Sequence, residues 1–342
     1  MNKNFPLISV AMATYNGEKF LREQLDSIFA QTYKNIEVIA CDDCSSDSTV
    51  SILEEYREKF SLKLFKNENN LGFVKNFEKT ISLCTGDYIA LSDQDDVWVV
   101  AKLETLINQI GESDLIFADA AMIDDDEEII TDSFMKANLL YYSKSDQFER
   151  LLYRNFVQGA SMLFRTELRE RFLPFPQKLP YHDWWIALTV ASGSEIKYEE
   201  KALIKYRIHV SNNSGASNFA ELNFLGKLTY YETNDNKLNA GYKNSFSMIQ
   251  FAKEKFKDEN YIPLFNKAEE YFKIHLNSKG SCFFKVKRFF YITVFSLKNK
   301  YIFRPNSEII SYIKELLTLF LVSNSRIRKI IRKFVNARVN SN

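Results

Sequence analysis

The 342-residue sequence contains neither GxGxxG nor GxxxxGK followed by Ser or Thr, so no glycine-rich loop cradles a phosphate as in dinucleotide-binding or P-loop folds. Cysteine is scarce, with Cys41, Cys44, Cys84 and Cys282 only. The first two have CxxC spacing, but no second pair completes a four-ligand zinc site. Cys41 instead ends a buried strand as a small hydrophobe, and such usage fits a reducing cytoplasm. No apolar run reaches the length of a clean transmembrane helix. The N-terminus, MNKNFPLISVAMATYNG, has one lysine and an apolar stretch too short for a signal peptide. Neither sign of charge dominates: 45 basic against 44 acidic residues give a formal net charge of +1, with no overall pull toward nucleic acid.

What is present is an ordinary globular composition, 46% hydrophobic and 26% charged, with many Phe (29) and Tyr (18). The length suffices for a large α/β domain and a second, smaller region. Charge is uneven along the chain. Acidic residues crowd positions 42–47, 93–96 and 124–128, and basic ones crowd the tail.

LISVAMA (7–13) is a short apolar run stopped by Asn16-Gly17, which reads as a buried strand and a turn. In EKFLREQLDSIFAQ, Phe20, Leu21, Leu25, Ile28 and Phe29 share one helical face. IEVIAC (36–41), the helix TVSILEEYREKF, LKLFKN (62–67), a helix at about 73–84 and DYIALS (87–92) continue the alternation. The order predicts a mostly parallel sheet flanked by helices. From about 114 the pattern changes to two strands around the acidic turn Asp124–Glu128, another strand at 157–164, the helix HDWWIALTVAS, and a strand ALIKYRIHV opening into a loop. The acidic turn reads as a solvated hairpin tip. Residues from about 219 onward read as helical.

Open α/β sheets bind ligands outside the carboxyl ends of their strands. Three polar clusters fall there: Thr14, Tyr15 and Asn16 after the first strand, Asp42 and Asp43 after the second, and Asp93-Gln94-Asp95-Asp96 after the fourth. Carboxylates set so close repel one another unless a cation or donor answers them. The last cluster reads either as a cap for the helix that follows or as a site for magnesium or manganese, which prefer hard oxygen ligands.

ISVAMATYNGEKFLREQLDSIFAQTYKNIEVIACDDCSSDST, then NENNLGFVKNFEKTISLCTGDYIALSDQDDVW, resembles the inverting family-2 glycosyltransferases of the GT-A fold, in particular their bacterial rhamnosyltransferase-like branch. The resemblance covers about residues 6–215 and implies transfer of a sugar, rhamnose or another hexose, from a nucleoside-diphosphate donor with inversion at the anomeric carbon. It assigns Thr14, Tyr15 and Asp43 to the base and ribose, with Asn16 and Asp42 beside them. It gives Asp93 to the ribose or donor sugar and Asp95 to the metal, with Asp96 supporting. Asn70, Gly72 and Asn76 match the loop and helix after the third strand, and Lys75 is placed to hold phosphate. Cys44 stands where the family usually has glycine, so a positive φ there would strain it.

In YHDWW, Asp183 matches the family's base, which takes the proton of the acceptor hydroxyl; the same residue could cap its helix. His209 matches a histidine that closes the metal or pyrophosphate site, and Arg207 shares its strand face. His182 is expected to orient the loop, Trp184 and Trp185 to stack on sugar or fill the core, and His275 has no assigned partner.

The chain divides in this reading into a catalytic part, 1–215, and a helical part, 216–342. In the latter, CFFKVKRFFYITVFSLKNKYIF and the basic cluster Arg326, Arg328, Lys329, Arg332 and Lys333 beside Leu316–Val322 fit a membrane surface, a helical bundle or a subunit partner. Work on lipid-linked glycan at the inner face of the cell membrane follows from the resemblance, with a glycan or lipid-linked saccharide as acceptor. A sugar-phosphate nucleotidylyltransferase would need a glycine-rich basic first loop, which TYNGEKF lacks. A nucleotide-sugar-binding protein without turnover would not need both Asp95 and Asp183.

Overall fold

The computed structural model describes residues 5–138, 140–209 and 235–276. Cys282, the loop after His209, the side chain of His275 and the basic, aromatic tail with its expected membrane contact lie outside the described residues.

β1 (Ile8–Thr14) is buried along nearly its whole length, as a parallel strand covered on both faces must be. It pairs in parallel with β2 (Ile36–Asp42) and β4 (Tyr88–Ser92), and β2 pairs in parallel with β3 (Leu62–Lys66). The crossovers are α1 (Leu21–Phe29), α2 (Thr49–Lys59) and α3 (Phe73–Leu83). Leu21, Leu25 and Ile28 bury the apolar stripe of α1, and α3 packs on β1 and β2. The sequence reading of alternating strands and helices holds through this half.

Beyond β4 the directions mix. The further strands are β5 (Val97–Trp98), β6 (Leu115–Ile123), β7 (Ile129–Thr131), β8 (Met162–Arg165) and β9 (Ile196–Arg207). Among the described residues one sheet forms, in the order β3-β2-β1-β4-β8-β6-β9-β5, with β7 at the side of β6. β8 runs antiparallel to β4 and β6, while β9 runs parallel to β6. The further helices of this unit are α4 (Lys102–Ile110), α5 (Phe134–Ala137), α6 (Gln147–Leu151), α7 (Arg169–Phe172) and α8 (His182–Ala191).

Two boundaries differ from expectation. Of the expected strand at 157–164 only 162–164 is extended, as part of β8, because Gly159–Ser161 close a 3-10 turn. β9 begins at Ile196, where the charged stretch Glu199-Glu200-Lys201 hides the strand period and its pairing with β6 slips near Ala118–Ala120.

At the amino ends of the strands, opposite the polar clusters, the buried Glu37 carboxylate accepts from Ser9 Oγ at 2.6 Å, from Thr85 N and Oγ1, and from Lys63 Nζ. This end of the sheet is closed by structure.

The described residues fall into two compact units, the second comprising 152–154 and 235–276. In it, α9 (Asp235–Lys255) and α10 (Ile262–Leu276) pack on one another through Met248, Ile249, Phe265 and Phe272. Glu269 joins them by accepting from Gln250, Lys253 and Lys273. No described helix is long and apolar enough to cross a membrane.

Candidate active site

The ends of β1 and β2 lock together. Thr14 Oγ1 donates to Asp42 Oδ1 at 3.0 Å, and Thr14 O accepts from Asp43 N. Asp42 also accepts from Ser45 N and Oγ, so its carboxylate shapes the turn after β2. Asp43 is buried; Oδ1 accepts from Leu71 N and Asn67 Nδ2, and Oδ2 from Gly72 N. Asn70 braces the same loop from its side chain, donating to Asp43 O and accepting from Gly72 N. Asn76 is buried between Asn67 Nδ2 and the Cys41 carbonyl.

Asp42, Asp43 and Asn76, read from sequence as nucleotide ligands, also have polar atoms committed to the loops that form the cleft. Lys75 pairs with Glu78 at 2.7 Å and the Phe175 carbonyl. Tyr15 is half exposed, and Asn16, at φ 48°, binds Ser45 and Ser46. Cys44 does adopt a positive φ, 66°, where the resemblance implied glycine; its Sγ donates to Asn67 O.

Gln94, unassigned from sequence, joins β1 to β4. Its Oε1 accepts from Tyr15 N at 2.8 Å and its Nε2 donates to Tyr15 O at 3.0 Å. Gly17 must be glycine for this, since a Cβ would come within 2.4 Å of Gln94 Oε1.

Around Gln94 the carboxylates part ways. The Asp93 carboxylate makes no hydrogen bond among the described residues, and burial, then Asp95 and Asp183, push it upward. Asp95 Oδ2 lies 2.9 Å from His209 Nε2. Asp96 is fully buried; Oδ1 accepts from Arg207 N and Oδ2 has no partner. Burial, then Asp95 and Asp93, raise it well above the usual carboxylate range. Asp96 is therefore an interior group, and of its two oxygens only Oδ2 is uncommitted.

Arg207 is also fully buried, and its guanidinium is committed within the protein. Nε donates to Asp95 O, one terminal nitrogen to Asp124 O and Asp125 O, and the other to Glu23, with Phe20 beneath at 4.3 Å. It pins the acidic 124–128 turn, whose tip also meets Lys19 through Asp125. Arg207, read from sequence as donor-binding, is thus also a structural group. Lys102 is the second buried base: its Nζ donates to Ala160 O at 2.6 Å and sits over the Trp98 ring. Burial pushes it well below the usual lysine range, against Asp96 and Asp93, which draw it back. A lone charge at a helix start or a strand end reads as solvated in a sequence, so the burial of neither base was legible.

Asp183 opens α8. Oδ1 accepts from Trp184 N at 2.7 Å and Oδ2 from Asn155 Nδ2 at 3.1 Å. Burial raises its carboxyl to about 6, against hydrogen bonds from Trp184, Gly159 and Asn155. Asp183 is near enough to Asp93 for its charge to raise the Asp93 carboxyl. His182 stacks on Phe77 at 4.1 Å, and burial holds it at about 3, so the ring is neutral. Trp184 and Trp185 are buried, with both indole N–H groups donating to carbonyls, and belong to the core.

Among the described residues no group of three or more His, Cys, Asp and Glu converges into a ready cation cage. The donor set nevertheless suits a hard divalent ion in kind: Asp95 paired with His209, and Asp93 without a partner, combine carboxylate oxygens with an imidazole.

A parallel half-sheet with polar clusters at its carboxyl ends, an acidic loop after β4 and a buried carboxylate across the cleft define a GT-A glycosyltransferase. The sequence matches Glycosyl transferase family 2 over residues 9–172. A glycosyltransferase of Haemophilus influenzae is 30% identical over 269 residues, 72% of this chain and 81% of the relative. The chain belongs to glycosyltransferase family 2 and is a glycosyltransferase. Its fold is shared with S. aureus TarS 1-349, in complex with UDP-GlcNAc, at a TM-score of 0.53 and 18% identity over 93% of this chain and 91% of that one. It is shared also with the mannosyltransferase PcManGT of Pyrobaculum calidifontis, in complex with GDP-Man and Mn2+, at a TM-score of 0.54 and 16% identity over 94% and 87%.

Proposed function

We propose that the chain moves a hexose from a nucleoside-diphosphate sugar to a hydroxyl of a growing bacterial surface glycan, with inversion at the anomeric carbon. The observation that carries this reading is Asp183: a carboxylate oriented by Asn155 and Trp184, raised to about 6, facing the partnerless Asp93. A carboxylate in that range accepts the hydroxyl proton at neutral pH as the new glycosidic bond forms and the nucleoside diphosphate leaves. One such base serving one displacement is the chemistry of inversion.

Tyr15, Asn16 and Asn70 line the nucleotide end, with Thr14, Asp42, Asp43 and Asn76 as its frame. Asp93 faces the donor sugar or ribose. A manganese or magnesium ion held by Asp95 and His209 would supply positive charge against the departing diphosphate. That two fold neighbours take UDP-GlcNAc, or GDP-Man with Mn2+, supports a nucleotide-sugar donor. Residues 1–215 form the catalytic part in this proposal, and 216–342 a helical part. Attachment to the inner face of the membrane, and a lipid-linked acceptor, rest on the sequence of the tail and the resemblance alone.

The deciding experiment incubates the protein with UDP-GlcNAc, GDP-mannose and dTDP-rhamnose, with and without manganese, and measures nucleoside diphosphate release. Release from one donor, lost in Asp183→Asn, is expected. No release from any nucleotide sugar, with or without acceptor glycan, would sink the proposal.

A further inference from the structure

Lys102 is fully buried at the start of α4 and takes no part in the chemistry above. Its amine has two neighbours. Nζ donates to Ala160 O at 2.6 Å, and the Trp98 ring lies 3.2 Å away at its centroid. Trp98 follows the acidic loop directly, in β5, so the amine is anchored on the donor side of the cleft.

Ala160 belongs to a segment that wraps Asp183. Asn155 donates from Nδ2 to Asp183 Oδ2, while its Oδ1 accepts from Val157 N. Ser161 N and Oγ both close on Gln158 O, making the 3-10 turn rigid. Between these ends Gly159 packs against Asp183: a Cβ there would lie 3.1 Å from Asp183 Cβ and 3.7 Å from its Oδ2. The turn also packs on β4, which leads into Asp93. One short segment therefore grips the carboxylate at two points and is itself held at a third by Lys102.

We propose that Lys102 is a positioning residue: by holding the Ala160 carbonyl it fixes the 155–161 segment, and with it the Asp183 carboxylate, relative to the donor loop. A buried amine needs partners to offset its lost hydration, and an apolar side chain of similar length would fill the same space without that cost. Lysine contributes here what methionine cannot, a directed N–H across the site. Small displacements of a reacting group cost large factors in rate, so the effect falls on turnover.

The inference rests on Asp183 as the base, and its test separates the two. Lys102→Met is compared with the parent for binding of UDP and GDP with manganese, by calorimetry, and for kcat and KM with the nucleotide sugar that the parent turns over. The expected result is nucleotide binding and KM within about twofold and kcat lower by about tenfold or more. Gly159→Ala, which crowds Asp183 from the same segment, should give the same split. The double variant should lose less than the product of the single losses, since both act through one carboxylate. Lys102→Gln, able to donate to Ala160 without an ammonium, should recover part of kcat. Unchanged kcat in Lys102→Met, full multiplicative losses in the double variant, or failure of both Lys102 variants to fold would overturn the proposal. An active Asp183→Asn would overturn the base assignment instead, whatever Lys102→Met does.

Discussion

Asp95 and His209 meet at 2.9 Å although 114 residues separate them. The contact joins the acidic loop after β4 to the residues just past β9.

Asp95→Asn should abolish most turnover and weaken nucleotide binding in manganese, because an amide is a poorer ligand for a hard cation. His209→Ala should weaken manganese binding less, since one of two ligands of mixed hardness remains. Titration of each variant with manganese, followed by calorimetry, checks the order. Equal metal affinity in parent and Asp95→Asn would refute the assignment.

Asp183→Asn should bind nucleotide as the parent does and lose about a hundredfold or more in kcat. Burial raises the Asp183 carboxyl to about 6, and only its deprotonated form accepts a proton. In the parent, kcat should therefore fall as pH drops below about 6 and level off above it. A profile flat from pH 5 to 8, measured with stable protein, counts against the base.

Arg207→Met should cost about 3–5 kcal/mol of stability, because Glu23 and the Asp95, Asp124 and Asp125 carbonyls lose one shared donor. Denaturant midpoints measure it. A variant of parental stability that no longer binds nucleotide would restore the ligand role that the sequence suggested.

Glu37 predicts acid sensitivity. Burial would raise its carboxyl, but hydrogen bonds from Lys63, Ser9 and Thr85 outweigh that and hold it at about 2. Since the folded value lies below the unfolded one, the stabilisation is present above the ordinary glutamate range and is lost as pH falls toward 2. Glu37→Gln should lower stability by about 1–3 kcal/mol at pH 7 and by progressively less in acid. A parallel pH dependence of unfolding in the two proteins would contradict this.

Cys44, at φ 66°, should tolerate glycine and reject branching. Cys44→Gly is expected within about 1 kcal/mol of the parent and Cys44→Val about 1–2 kcal/mol below it, with nucleotide binding kept in both. Thermal unfolding and UDP or GDP calorimetry distinguish these.

The parallel half of the sheet was legible because buried strands and amphipathic helices alternate there without interruption, and strand ends then locate the polar clusters. Within the clusters, residue type located the cleft better than it assigned roles. Asp43 and Asn76 look like ligands by position, yet their atoms face backbone N–H and C=O groups of loops that no local pattern brings together. Asn155 and Gly159 carried no signal at all, since their function arises only where a turn meets α8. The burial of Arg207 and Lys102 was illegible for one reason: it depends on partners distant in sequence, such as Glu23 and Ala160.

Asp96 and Lys102, both fully buried, feel one another's charge inside the protein. Arg207, likewise interior, is answered by Glu23. The acidic loop is therefore answered from within the chain, by bases on α4 and β9. Assembly and metal loading become separate events, so a chelator would silence any metal-supported turnover while leaving a folded protein ready to be reloaded.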